Sequence, residues 1–131
     1  MIGVDTNVLI RLLAPDDEKQ NVAAKSFFSR RSPDDPAYVS SIVLAETIWL
    51  LRRRLGYSRT AVEDAVRSIL SSDDFRVEHG ERLSALLQEG APRAELADYL
   101  IAWSADHAGC LRTVTFDKRS AKAIATMDLL A

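Results

Sequence analysis

The chain has 131 residues, the usual length of one domain, so we predict a single domain over residues 1–131. Hydrophobic residues make up 47% and charged residues 27% of the chain, which excludes a disordered tail or a fibrous protein. The chain carries 17 Lys and Arg against 19 Asp and Glu. The resulting net charge of −2 argues by itself against a nucleic-acid binder, whose surface is usually strongly basic.

Short β-type runs alternate with helical segments, which predicts an α/β fold with a central, mostly parallel sheet flanked by helices. Strands are predicted at 1–4, 37–39, 75–77 and 111–115. Helices are predicted at 8–13, from 16 onward, and at 41–55, 60–70, 81–89, 92–108 and 118–126.

Local signals set several of these helix ends. Pro15 ends the first helix, and the acids at 16–17 open the second, where they suit the positive end of its dipole. Thr60 and Glu63 form a capping-box pattern that predicts the start of another helix. Pro92 is predicted to be the first residue of a later helix, a position that tolerates its missing N–H group.

Two acids directly follow predicted strands. Asp5 follows the first strand and Asp117 follows the fourth. In an open parallel sheet, ligands bind just beyond the carboxyl ends of the strands, so two such acids are expected on the same edge. The alternative interpretation of each acid is a plain helix N-cap.

Glu46 is the single charge in the apolar run 42–51. Ile42 and Trp49 are expected on its side of the helix, so we predict a helix that is buried on most sides. An unpaired buried carboxylate is very costly, and Glu46 must therefore be protonated, paired or bound to a metal. Pairing with an arginine elsewhere in the fold is the alternative to a metal.

Asp98 lies near the start of a predicted helix and shares its side with Ile101, Ala102 and Ala105, a mostly small stripe that lets another element approach closely. Because another element is expected to cover such a position, contact with water is a poor explanation for an aspartate there. The alternative is a first-turn acid stabilised by the helix dipole. The helix dipole explains Glu95 better than it explains Asp98, because Glu95 lies closer to the predicted helix start, and we interpret Glu95 as a capping residue.

Convergence of these four acids would require bound cations. Two carboxylates 5 Å apart repel by roughly 3 kcal/mol at an effective dielectric constant near 20. Carboxylate oxygens are ligands for Mg²⁺ or Mn²⁺, whereas zinc prefers His and Cys. His79 and His107 lack metal-ligand spacing, and we interpret both as surface or helix-end residues. A magnesium site without histidine indicates phosphate chemistry.

Four segments together resemble the PIN-domain nucleases, and specifically the VapC-type toxins of bacterial toxin–antitoxin pairs. They are VDTNVLIR at 4–11, AETIWLL at 45–51, LADYLIAWSA at 96–105 and TVTFDK at 113–118. They occur in the family's order and spacing, and the resemblance covers essentially the whole chain. Each segment alone is weakly specific, whereas the four together are a specific signature.

The resemblance implies a three-layer fold and a metal-dependent endoribonuclease that uses Mg²⁺ or Mn²⁺. The residues that match the family's acidic cluster, which holds the metal, are Asp5, Glu46, Asp98 and Asp117. The residues that match its supporting polar positions are Thr6, Asn7 and Thr115. The resemblance further implies an RNA substrate such as a transfer RNA, a cognate antitoxin that occludes the site, a homodimer and a cytoplasmic location.

The basic and aromatic residues near these segments have two interpretations each. Arg52, Arg53 and Arg54 form either a phosphate-contacting patch or solvated charge at a helix C-terminus. The residues that could extend the patch are Arg112, Lys118, Arg119 and Lys122. Trp49 and Trp103 are interpreted as core or dimer packing rather than as platforms for RNA bases. Tyr99 and Trp103 are bulkier than the alanine-like residues common around the family's third acid. This departure affects the expected shape of the substrate groove near Asp98 but not the metal site.

Two other function classes compete with the nuclease. An aspartyl-nucleophile phosphatase needs a second acid two residues after the first, and Asn7 occupies that position. A catalytically inert PIN-like RNA-binding module would lack one of the acids, and none is missing. Assigning four of the 19 acids to a metal site leaves 15 acids against 17 basic residues, so the rest of the chain carries a charge of +2.

Cysteine usage and apolar run lengths bear on the compartment. The single cysteine, Cys110, excludes an intrachain disulfide, fits a reducing cytoplasm, and is interpreted as a small buried residue. The apolar stretches fall far short of the ~20 residues that span a bilayer. No basic region precedes the first strand, so no signal peptide is expected.

Overall fold

The computed structural model describes residues 1–14 and 18–131. The elements follow in the order β1 (Ile2–Gly3), α1 (Thr6–Leu13), α2 (Glu18–Ser29), β2 (Ala37–Val39), α3 (Ser41–Arg53), α4 (Arg59–Leu70), β3 (Phe75–Val77), α5 (Gly80–Gln88), α6 (Leu96–His107), β4 (Thr113–Thr115), α7 (Lys118–Ala123) and β5 (Met127–Leu129). The predictions for Pro15, Asp16 and Asp17 lie outside the described residues.

All the strand pairs found among these residues are parallel, and the predicted α/β fold is confirmed. The order β1-β2-β3 forms one sheet, and β4 and β5 form a second pair. Ile2 pairs with Ala37, and Val39 pairs with Val77 at the other end of β2. Parallel pairing places the carboxyl ends of β1, β2 and β3 at one edge, and Asp5 comes just after the first of them.

The strand β5 was not predicted from the sequence. The last helix was expected over 118–126, but α7 ends at Ala123, and Ile124 adopts an extended backbone. Ile124 and Met127 are buried, and Met127 pairs with Thr113. Burial of these side chains and the hydrogen bonds to β4 stabilise the extended conformation, although the local sequence also suits a helix.

Leucines contributed by separate helices form the centre of the core. Those at most 2% exposed are Leu9, Leu44, Leu51, Leu83 and Leu100. The ring of Phe28 in α2 stacks on that of Phe75 in β3, with centroids 5.4 Å apart. Helix α3 packs against both α1 and α6, so it joins the two parts of the chain that carry the predicted acids.

The prediction that α3 is buried on most sides is confirmed, but the one exposed face is the face that carries Glu46. Leu44, Ile48 and Leu51 are buried, whereas Ile42 is 81% and Trp49 54% exposed. Glu46, on the same face, is also exposed, so its predicted burial is wrong. Helix α3 packs against α1, α4 and α6, and the apolar character of the exposed face does not reveal whether another element covers it.

The aromatic residues of α6 belong to the core. Trp103 is 8% exposed and belongs to the core, whereas Trp49 is exposed, so of its two predicted packing roles only dimer packing is left. Tyr99 is also buried, and its ring centroid lies 5.8 Å from that of Trp103. These bulky side chains therefore pack inward, and Asp98 on the same helix has a different environment.

Two helix starts differ from their predictions. Ser58, not Thr60, caps α4 by accepting a hydrogen bond from the backbone N–H of Ala61 at 3.1 Å, so the capping-box prediction is wrong. Helix α6 begins at Leu96, four residues after Pro92. The Arg59 guanidinium donates to the carbonyl oxygens of Pro92 and Ala94 at 2.7 and 3.0 Å, which holds this segment outside the helix.

Three small predictions concern residues far from the acids. His107 is exposed at the end of α6, as predicted. His79 is half-buried at the N-cap of α5 with a left-handed φ of 60°, so its interpretation as a helix-end residue is confirmed. Cys110 is exposed, so the prediction of a buried cysteine is wrong.

Within residues 1–14 and 18–131, no helix has the length and apolar character needed to cross a membrane.

Candidate active site

Asp5 serves as a helix cap at the carboxyl end of β1. Its Oδ1 accepts a hydrogen bond from the backbone N–H of Val8 at 3.1 Å, which starts α1. The side chain is nevertheless exposed, and with Asn7 and Arg11 it lines a cavity of about 640 Å³. The capping and ligand-binding interpretations of Asp5 are therefore compatible, because the cap uses one carboxylate oxygen.

Thr6 joins α1 to Glu46 of α3. The Thr6 hydroxyl is buried and donates a short hydrogen bond to Glu46 Oε1. This contact replaces the expected arginine partner, since no Arg–Glu46 ion pair exists among the described residues. Glu46 is exposed rather than buried, so the cost of burying an unpaired carboxylate does not apply to it.

Ser120 connects the other two acids. Its hydroxyl donates to Asp98 Oδ2 at 2.8 Å, and its backbone N–H donates to Asp117 Oδ1 at 3.0 Å. Ser120 is 2% exposed. Thr115 Oγ1 accepts a hydrogen bond from the backbone N–H of Asp117 at 3.0 Å, so it fixes the turn that leads into α7. The small stripe beside Asp98 was expected to let another element approach closely; Ser120 of α7 reaches Asp98 itself, but Ile101 of the same stripe is 52% exposed.

Sequence reasoning missed Ser120. Its position three residues after the predicted N-cap Asp117 could have indicated it, because the backbone N–H at that position donates to the carboxylate of the N-cap residue. Its second contact, to Asp98, joins residues that are 22 positions apart. No local pattern reports such a contact.

A cavity of about 540 Å³ lies between α3, α6 and the start of α7; we call it the acid cavity. Its lining includes Asp98, Asp117, Trp49 and Arg53. The structure thus joins Asp98 to Asp117 through Ser120 and Glu46 to Thr6, whereas Asp5 is hydrogen-bonded to the backbone of its own helix and lines a separate cavity.

The side chains present fit a hard divalent cation in their chemistry. Carboxylate and hydroxyl oxygens are the donors that Mg²⁺ prefers. In the part of the chain that the structure describes, no three His, Cys, Asp or Glu side chains stand close enough to hold a metal as they are placed. The hydrogen bonds to Asp5, Asp98 and Asp117 each occupy one carboxylate oxygen and leave the other one for a cation.

The predicted basic patch divides into structural and exposed residues. Arg52 forms an ion pair with Glu95 at 3.1 Å and donates to the carbonyl oxygen of Tyr57 at 3.1 Å. Glu95 occupies the N-cap position of α6, as predicted, but its side chain makes no capping bond. Its carboxylate links the end of α3 to the start of α6, three residues before Asp98.

The remaining basic residues of the patch are exposed. They are Arg53, Arg54, Lys118 and Arg119. Arg53 is distinguished from the others because it lines the acid cavity. Charge near the acids is therefore available from Arg53, whereas Arg52 is held in the ion pair with Glu95.

A further acid, Glu78, follows β3 at the same sheet edge and was not singled out in the sequence. It accepts a hydrogen bond from the backbone N–H of Ser41 at 2.7 Å, where α3 begins. This bond holds the pKa of Glu78 below its ordinary value. Burial raises the pKa of Tyr38, and the nearby Glu78 carboxylate raises it further.

Comparison with protein families identifies the class of protein. Residues 2–126 match the PIN domain, and the chain therefore belongs to the PIN-domain family. This confirms the family predicted from the four sequence segments. Comparisons with curated proteins and with solved structures gave no match. PIN domains are generally metal-dependent nucleases, and PIN nucleases act on RNA.

Proposed function

We propose that the protein is a metal-dependent endoribonuclease and the toxin of a VapC-type toxin–antitoxin pair. One observation carries the proposal: Ser120 joins Asp98 to Asp117 at the edge of one cavity, and Thr6 orients Glu46 on the neighbouring helix α3. An inert RNA-binding module has no need for four oriented carboxylates, and an aspartyl phosphatase has no place for Asn7.

Asp5, Glu46, Asp98 and Asp117 are the proposed ligands of Mg²⁺ or Mn²⁺. When bound, the metal would lower the pKa of a water molecule and stabilise negative charge on the phosphodiester. Thr6 and Ser120 hold the carboxylates in one orientation, which lowers the reorganisation needed when a cation binds.

The supporting polar residues act on the placement of these ligands. Thr115 fixes the backbone at Asp117, where α7 begins and Ser120 binds the Asp117 carboxylate. Asn7 lies exposed two residues after Asp5 and lines the cavity beside it, where its amide can contact RNA. Lys118, Arg119, Arg53 and Arg54 supply positive charge around the acids, which favours approach of the phosphate backbone.

The proposed partners are an RNA such as a transfer RNA, a cognate antitoxin that occludes the site, and a second copy of this chain in a homodimer. The proposed location is the cytoplasm. The four matching segments support these proposals because they occur together and in the order of VapC-type toxins. Exposed apolar side chains such as Ile42 and Phe116 are suited to protein contacts.

Incubation with total RNA, with and without Mn²⁺ or Mg²⁺, tests the catalytic proposal. We expect metal-dependent cleavage by the wild type, and a loss of at least 100-fold in Asp5→Asn and Asp98→Asn, because each removes a proposed ligand. Asp73→Asn, an exposed acid in a turn, is the matched control and should cleave normally. Absence of cleavage under every metal condition, or equal cleavage by both ligand variants, would refute the proposal.

Induced expression in bacterial cells tests the toxin role. We expect the wild type to stop growth and Asp98→Asn, produced at the same level, to leave growth unchanged. Growth arrest by both proteins would show that the arrest does not depend on the nuclease site.

A further inference from the structure

One face of α3 is exposed although it carries large apolar side chains. Ile42, Glu46, Trp49 and Arg53 follow one another at helical spacing and lie on this face. Trp49 is 54% exposed, whereas the other tryptophan, Trp103, is 8% exposed. The packing of α3 uses its opposite side, so the core does not require an indole at position 49.

The surroundings of Trp49 indicate what its exposed indole contacts. The side chain lines the acid cavity together with Asp98 and Asp117, two of the proposed metal ligands. Trp49 also lies about one helical turn after Glu46, a third proposed ligand, with a rise of about 4.5 Å along the axis of α3 between the two residues. The indole is therefore placed next to the proposed site of phosphodiester cleavage.

Arg53 adds a positive charge to the same cavity. It lies one turn after Trp49 and is exposed, and no described ion pair engages it. The neighbouring Arg52 is held by Glu95 and by the carbonyl oxygen of Tyr57. The cavity thus combines an aromatic face, a guanidinium group and carboxylates that suit a metal, which together match a base, a phosphate and a scissile bond.

We propose that Trp49 is a stacking platform for an unpaired RNA base and that Arg53 binds a backbone phosphate of the same strand. The inference rests on the proposed nuclease function and assigns two side chains that would contact its RNA next to the proposed metal ligands. The cavity volume of about 540 Å³ lies within the range of small-ligand sites, so one nucleotide fits. A base inside an A-form duplex is stacked and paired on both sides, and its face is inaccessible to the indole.

Binding is measured without metal so that the result is independent of cleavage. Fluorescently labelled single-stranded RNA and a blunt RNA duplex are titrated with wild type, Trp49→Ala and Trp49→Phe in EDTA at low salt. We expect Trp49→Ala to weaken single-strand binding by about 5- to 150-fold, the range of a lost base–aromatic stack. Trp49→Phe retains an aromatic face and should bind within a few-fold of wild type, and duplex binding should change little in either variant.

Two matched controls separate the platform from general surface effects. Ile101→Ala removes a similarly exposed apolar side chain from α6 and should leave single-strand affinity unchanged. Arg53→Gln should weaken binding and reduce its salt dependence, whereas Arg54→Gln, which alters a residue outside the cavity lining, should weaken it less. Single-stranded RNA should quench the tryptophan fluorescence of the wild type but not that of Trp49→Phe.

Several outcomes would overturn the inference. Unchanged single-strand affinity in Trp49→Ala, equal losses on single strand and duplex, or wild type that binds no RNA would each do so. A change of sedimentation coefficient in Trp49→Ala with unchanged RNA affinity would instead place Trp49 in a protein interface. Because these measurements need no metal, RNA binding through Trp49 without any cleavage in Mn²⁺ would refute the nuclease proposal alone.

Discussion

Substitution of Ser120 by alanine tests how the site holds its acids. The change removes the hydroxyl that donates to Asp98 Oδ2 at 2.8 Å and keeps the backbone N–H that donates to Asp117. Hydrogen bonds to charged groups contribute about 1.5–3 kcal/mol. Asp98 is half-buried and regains contact with water, so we expect a loss of about 1 kcal/mol in the free energy of unfolding.

The effect on metal binding should be larger than the effect on stability. Partners that orient a metal ligand typically change metal affinity by about 10–100-fold when they are removed. We therefore expect Ser120→Ala to weaken Mn²⁺ binding by about 10-fold or more in an isothermal titration, and to shift the Mn²⁺ dependence of cleavage to higher concentrations. Ser120→Thr keeps the hydroxyl and should restore Mn²⁺ affinity even where the added methyl group lowers stability.

Ser41→Ala is the matched control for Ser120→Ala. Its hydroxyl is also buried, but it lies beside Glu78 and contacts none of the proposed metal ligands. Its removal should therefore leave Mn²⁺ affinity unchanged. If Ser120→Ala bound Mn²⁺ as tightly as Ser41→Ala, or if Ser120→Thr were as impaired as Ser120→Ala in Mn²⁺ affinity, Ser120 would not be a positioning residue.

The remaining predictions concern the other side of the site and the beginning of α3. Thr6→Val keeps the side-chain shape but removes the hydroxyl that donates to Glu46, so the rate of RNA cleavage should fall by about 10–100-fold. The control variant Thr47→Val loses only a bond to a carbonyl oxygen of its own helix and should cleave normally. Equal cleavage rates for the two variants would contradict the role of Thr6. Glu78 has a lowered pKa in the folded protein, so its contribution to stability is present above its ordinary pKa of 4.5 and is lost as the pH falls through the folded value. Glu78→Gln should therefore be less stable than wild type by about 1 kcal/mol at pH 7 in urea unfolding, with a difference that disappears in acid; a difference independent of pH would refute this assignment.

Much of the site is specified by local sequence patterns. The N-cap positions of Asp5 and Asp117 follow from polar residues between an apolar strand and an apolar helix, and both caps form as hydrogen bonds over three residues. The parallel arrangement follows from the alternation of strands and helices. Short-range geometry is decided by a few neighbouring residues, which is why these features were predictable.

The burial of α3 shows where such patterns fail. Its sequence is apolar on several sides, and periodicity reports which residues share a face but not which face another element covers. The exposure of Trp49 follows from the docking of α1 and α6 on the opposite side. Both Arg52 and Arg53 line the acid cavity, but the docking of α6 pairs Arg52 with Glu95, whereas no described ion pair engages Arg53.

By itself, the sequence determined the α/β class, the acids and the PIN-domain family, because these depend on residue type and spacing along the chain. The tertiary structure alone decided which groups hold those acids. Thr6 and Glu46 are 40 positions apart, and Ser120 and Asp98 are 22 apart. Hydrogen bonds of this kind form only when separate elements pack together, since their geometry depends on distances that no local pattern records.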